Sequence, residues 1–299
     1  MSLITTPYLS QQMINTERLF ALAANLPKGI KENAEALLER MSAVIEGIGD
    51  EPITWKPPIL RLVQGTTDRT SIPKGTAIGD FVLGETKIDR PFKLIPLMLW
   101  TGRQYWSPDQ NESKMLCSSP DAKLGYIGNN CNEKSCPHAK WDEETNRSEC
   151  GRVKHALCIS HDLKELFAVN FAKTNYATGM DFESLLKKAG VSPYRRIYDL
   201  DSTTNSKNKN VENFSIKPSD HKDVPAEYLE FLGELFNLIK ADRKESLDQF
   251  YIMVNERKER MPQLSNSNSS EGTVSLSAPV EGEGTSDAVV SDMSKNYVV

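Results

Sequence analysis

Four cysteines stand at positions 117, 131, 136 and 150, with thirteen, four and thirteen residues between them. The central pair lies in CNEKSCPHAKW, residues 131–141. A redox dithiol uses Cys-x2-Cys at a helix N-terminus, so the four-residue gap does not suit one. A disulfide framework wants paired cysteines in an oxidising compartment, and the chain has five. A catalytic zinc keeps three protein ligands and one open position. Glu133 is at hand for such chemistry, but no H-x-E or H-E-x-x-H pattern accompanies it. What suits the spacing is a closed, structural Zn²⁺ site with thiolate ligands about 2.3 Å from the metal. Cys131 and Cys136 would form its knuckle, and Cys117 and Cys150 would enter from the flanks. His138 and His155 stay open as substitutes for one cysteine. Cys158, in the apolar run ALCI, reads as a core residue, and His161 and His221 read as surface or turn residues.

A metal is needed here because residues 108–151 are polar and turn-rich, with little to bury. Metal binding would supply the folding free energy that the segment lacks. The elements around it must position it. Residues 1–49 read as helices: Leu19, Leu22, Ala23 and Leu26 recur at helical spacing, and so do Ala34, Leu37, Leu38, Met41 and Ile45. From residue 51 to about 107 the chain turns β-rich, as a barrel or a sandwich, and strand-like runs return after the cysteine segment. Short runs at 59–64, 76–84 and 92–100, a strand pair over 152–172 and a strand in YRRIYDL are divided by turn residues. DFESLLKKAG, 181–190, is a short helix stopped by Gly190. Residues 201–224 read as a polar linker, 225–261 as a helical segment, and 262–299 as a disordered acidic tail.

The chain of 299 residues carries a net charge of −5. The charge is unevenly spread: residues 51–200 hold 21 basic and 18 acidic side chains, whereas the last 35 residues hold five acids and one lysine. No apolar run of about 18 residues and no signal-like N-terminus is visible, so the expectation is no membrane span and a cytoplasmic location.

Taken in order, PPILRLVQ, IGDF, KLIPLMLWTGRQYWSP, LCSSPDAKLG, the Cys-x4-Cys-Pro step, Cys150 and FAKTNYATG resemble a family of phage early proteins that bind single-stranded DNA, of the Drc type found in N4-like phages. The resemblance covers roughly residues 50–200. It implies an α+β protein whose core is an OB-like antiparallel β barrel with a zinc-stabilised insertion at 108–151, and Cys117, Cys131, Cys136 and Cys150 as metal ligands. It also implies single-stranded DNA as partner, together with a phage polymerase or replication protein, in the host cytoplasm.

Single strands are held by a basic groove with aromatic platforms. WTGRQYW places Arg103, Tyr105 and Trp106 together, with Arg103 and Tyr105 on one face of a strand. Arg61, Arg69, Lys93, Lys123, Tyr126, Arg195 and Arg196 complete the candidate contacts. Each has a plainer reading: Trp106 and the YRRIY strand can be ordinary packing, and surface lysines and arginines are usually just solvated. Trp100 reads as core. The competing functions are a transcription adaptor that recruits a phage RNA polymerase to its template and a metal-dependent nucleic-acid enzyme. The acidic run Asp142-Glu143-Glu144 reads as solvated rather than catalytic, and no P-loop or GxSxG occurs.

Overall fold

The computed structural model describes residues 16–42, 56–109, 114–144, 148–205 and 211–260. The predicted tail at 262–299 lies outside them, as do residues 1–15 and 43–55. The described chain is a mixed α+β fold: a curled sheet with helices on both faces. Its strands are β1 (Ile59–Leu62), β2 (Phe81–Leu83), β3 (Thr86–Ile88), β4 (Phe92–Trp106), β5 (Met115–Ser119), β6 (Gly151–Ser160), β7 (Leu166–Ala172), β8 (Arg196–Thr204) and β9 (Glu212–Asp223). The helices are α1 (Thr16–Ala23), α2 (Ile30–Ser42), α3 (Tyr176–Ala189) and α4 (Leu229–Arg260). The strand order is β3-β2-β1-β7-β6-β4-β8-β9, with β5 on β4, and only β1–β7 is parallel.

Alternation along the strands feeds two cores. Ala156 and Cys158 join Leu60, Phe81, Phe167, Phe171, Tyr198 and Phe214 inside the curl, where Phe182 of α3 plugs it. Leu157 and Ile159 point the other way, onto α1, α2 and α4 through Leu19, Leu37, Leu38, Leu232 and Leu235. Each of these buried leucines contributes about 1.5–3 kcal/mol of transfer free energy. Cys158 is fully buried in the inner core, as its apolar sequence context predicts. α3 sits close because Gly179 has no side chain: a Cβ there would lie 2.7 Å from the Lys154 Cβ. Lys154 pairs with Glu183 of the same helix at 2.6 Å. Gly190, at φ 65°, ends α3 in the left-handed region, as the sequence predicts.

Residues 201–204 and 212–223, expected as part of a linker, instead form the end of β8 and all of β9. Their polar composition misleads because β9 is an edge strand, where exposed polar side chains are normal. Ile216 and Phe214 alternate inward and carry its apolar contribution. Beyond β9, α4 packs directly on the sheet.

The curl brings the β1–β2 end of the sheet against β9. Gln64 Nε2 donates to the Glu212 carbonyl at 2.9 Å, while its Oε1 accepts from the Glu212 amide at 2.8 Å. One side-chain amide thus replaces a strand residue across the gap. Ser202 Oγ adds a bond to the Gly79 carbonyl at 2.8 Å. Gln64→Ala leaves both Glu212 backbone groups without this partner and is expected to lower stability by about 1–3 kcal/mol. The urea midpoint reads this, and an unchanged midpoint would refute the closure.

Candidate metal centre

β4 is the strand on which the cysteine cluster is assembled. β5 pairs with it on one side, setting Cys117 opposite Tyr105 and Ser119 opposite Arg103. β6 pairs on the other, setting Gly151 opposite Gln104, so Cys150 lies just before the first β6 residue. The two flanking cysteines therefore come in from opposite edges of β4, Cys117 within β5 and Cys150 at the entry to β6.

The central pair is delivered by turns. A short hairpin with a Leu124–Asn130 bridge returns the chain, and the Cys131 amide bonds the Lys123 carbonyl at 2.7 Å. Gly125 lets this hairpin approach: a Cβ there would stand 3.0 Å from the Cys117 sulfur and 3.6 Å from that of Cys131. Across the four-residue gap, Asn132 Oδ1 accepts from the Lys134 and Ser135 amides at 3.0 Å each, a side-chain-capped turn. The Cys136 amide bonds the Asn132 carbonyl at 3.0 Å, and the Cys150 amide bonds that of His138 at 2.8 Å.

The result is one small cavity of about 10 Å³ lined by Cys117, Cys131, Cys136 and Cys150, together with Tyr105, Gly125 and His138. That is room for about one water-sized sphere. Cys117, Cys136 and Cys150 are buried and Cys131 is half-buried. Among the described residues, no group of three or more His, Cys, Asp or Glu side chains stands close enough together to hold a metal ion. A tetrahedral zinc–thiolate site needs sulfurs about 3.8 Å apart. Uncharged thiols have no force between them that would draw them so close.

The electrostatics around the sulfurs run in two directions. Burial pushes the thiols of Cys117 and Cys131 up, and that of Cys150 to about 11. Against this, the Ile127 amide lowers Cys117, the Ser119 hydroxyl lowers Cys131, and the Arg103 guanidinium lowers Cys150. Arg103 is 6% exposed, and its Nη1 also donates to the Cys150 carbonyl at 3.3 Å. It has no carboxylate partner among the described residues. An arginine does not shed its proton, and a buried cation needs a compensating anion. Cys150 and Cys131 are the sulfurs that its charge acts on. Four cysteines lining one cavity are the donor types that a structural Zn²⁺ takes as thiolates.

The two candidate histidines differ. His138 lines the cavity, stacks on Tyr105 at 4.0 Å between centroids, and has Nδ1 2.6 Å from the Glu149 carboxylate. His155 faces elsewhere. It is buried, with Nδ1 2.8 Å from Asn170 Oδ1 and its ring stacked on Trp100. His161 and His221 are exposed, in keeping with their reading from sequence. Burial pulls His155 down to about 4. The unfolded chain then binds more protons than the native state between about pH 6.5 and 4, so acidification through that window should remove up to about 3 kcal/mol. His155→Gln should flatten the pH dependence of the urea midpoint there; an equally steep profile would refute it.

The candidate DNA contacts are dispersed in role. Arg103 and Tyr105 belong to the thiol cluster. Tyr126 lies beneath Arg257 of α4 at 4.6 Å. Lys93 is tied to Asp199 at 2.9 Å, and Arg196 to Asp223 at 2.8 Å. Arg61 donates to the Ser71 and Gly84 carbonyls. Trp106 is half-buried, while Arg69, Lys123 and Arg195 are exposed; Arg69 donates to the Thr76 carbonyl at 3.2 Å and Lys123 lies 4.0 Å from the Asp121 carboxylate. Asp142, Glu143 and Glu144 are likewise exposed. Sequence reading missed Gly125, Ser119, Ile127 and Asn132. Only the period-2 relation of Arg103 to Tyr105 hinted that these two serve one site.

Among the described residues, no helix is long and apolar enough to cross a membrane. No protein-family profile, no curated protein and no solved structure matches this chain.

Proposed function

We propose that this chain is a non-catalytic single-stranded DNA-binding protein that supports phage DNA replication or transcription, its curled sheet serving as an OB-like barrel. Cys117, Cys131, Cys136 and Cys150 hold one Zn²⁺, which supplies charge neutralisation of the thiolates and folding free energy for the segment between β5 and β6. The observation that carries the metal reading is the convergence of Cys117, Cys131, Cys136 and Cys150 on one small cavity, beside a buried Arg103 that has no carboxylate partner among the described residues. The DNA reading rests on the resemblance of the CSSPD, Cys-x4-Cys-Pro and Cys150 block to phage single-strand binders. Exposed Arg69, Lys123 and Arg195 beside a curled sheet are compatible with it.

Elemental analysis of the purified protein should find about one zinc per chain, and Cys131→Ser or Cys136→Ser should lose it. A value well below one in the parent removes the ligand assignment. In a gel-shift salt series, single-stranded oligonucleotides should bind in preference to duplex, with affinity falling steeply as salt rises. Preference for duplex, or no binding at low salt, removes the DNA reading.

A further inference from the structure

The last turns of α4 rest on the loop that joins Cys117 to Cys131. Buried positions run down the helix at spacings of three or four, through Leu235, Ile239, Asp242, Ser246, Phe250 and Val254. The first of these pack on the sheet, but Phe250 and Val254 form a separate small cluster with Leu124 of the loop. Three polar or cationic contacts accompany it. Arg243 Nη2 donates to the Pro120 carbonyl at 3.0 Å, the Tyr251 hydroxyl bonds the Asp121 carboxylate, and the Arg257 guanidinium lies over the Tyr126 ring. The Lys258 stem lies across Gly128 so closely that a Cβ there would be 2.6 Å from it.

Neither partner holds this arrangement alone. Between Cys117 and Cys131 the loop buries one large aliphatic side chain, Leu124. Beyond Ser246 the helix buries only Phe250 and Val254 among its apolar side chains. Helix segments this short are marginal in water without tertiary packing. The loop leaves β5 at Cys117, closes through the 124–130 hairpin and ends at Cys131, so both its ends lie at the cysteine cluster.

We infer that docking of the distal half of α4 and metal binding by the four cysteines form one linked equilibrium, with Phe250 and Val254 as positioning residues that raise metal affinity without touching the metal. The inference rests on the metal reading above. Linkage is reciprocal: whatever factor the metal contributes to helix docking, the docked helix contributes to metal affinity.

Two measurements on the full-length protein test it. The first is amide hydrogen exchange before and after zinc is stripped by excess chelator. Exchange at Tyr251–Lys258 should accelerate by about tenfold or more, within the usual range of coupling, while Phe231–Ile239, on the sheet, should keep its protection. The second is zinc affinity by chelator competition. Phe250→Ala with Val254→Ala should weaken it by about tenfold. Ile252→Ala, in the same turns but 59% exposed, should leave it unchanged. If zinc leaves and the helix amides stay protected, or if the double variant binds zinc as the parent does, the linkage is overturned while the metal site stands. If the parent holds no zinc, the metal reading falls and takes this inference with it.

Discussion

The segment between β5 and β6 has too little apolar surface to fold by burial. Its buried positions between Pro120 and Cys150 are few: Leu124, Ala139 and the cysteines Cys136 and Cys150 stand out. Ordering a residue costs about 1–2 kcal/mol in backbone entropy alone, and so few buried side chains do not offset that over such a length. Every other feature of this region answers that deficit. The sulfurs converge on one cavity, the backbone closes turn upon turn through Asn132 and the 124–130 hairpin, and α4 reaches past the sheet to cover what remains.

β4 is the strand that makes the answer possible. Its first half pairs with β6 and β8 and lies between the two cores; its second half pairs with β5 and β6 and carries Arg103 and Tyr105 into the cysteine cluster. A rigid, doubly paired strand can hold a buried guanidinium where a loop could not. Arg103 gives the site its electrostatic character. Burial disfavours the thiolate forms, and a fixed cation beside Cys150 and Cys131 opposes that.

The closing of the curl uses a different device. Instead of another strand pair, the amide of Gln64 stands in for backbone at Glu212. The ends of β1 and β2 are thereby tied to the edge strand β9 and its neighbour β8, and an exposed edge is the feature of a sheet most prone to unwanted pairing.

Much of this was legible in the residues. The helical stripes of α1 and α2, the strand runs of β4, β6 and β7, the stop at Gly190 and the core placement of Cys158 follow from period and burial preference, which are local properties. The cysteine spacing alone singled out Cys117, Cys131, Cys136 and Cys150 as one set, and the fold brings those four to one cavity. What composition could not show was β9, because an edge strand of polar residues looks like a linker until its partner β8 is known. Nor could it show that Lys93 and Arg196 are committed to Asp199 and Asp223, or that Arg103 is buried against the Cys150 backbone. A charged side chain's role is set by what lies within a few ångströms of it, and those neighbours come from residues far apart in the chain. Spacing thus chose the cysteines, and tertiary structure alone decided which cation and which helix stand against them.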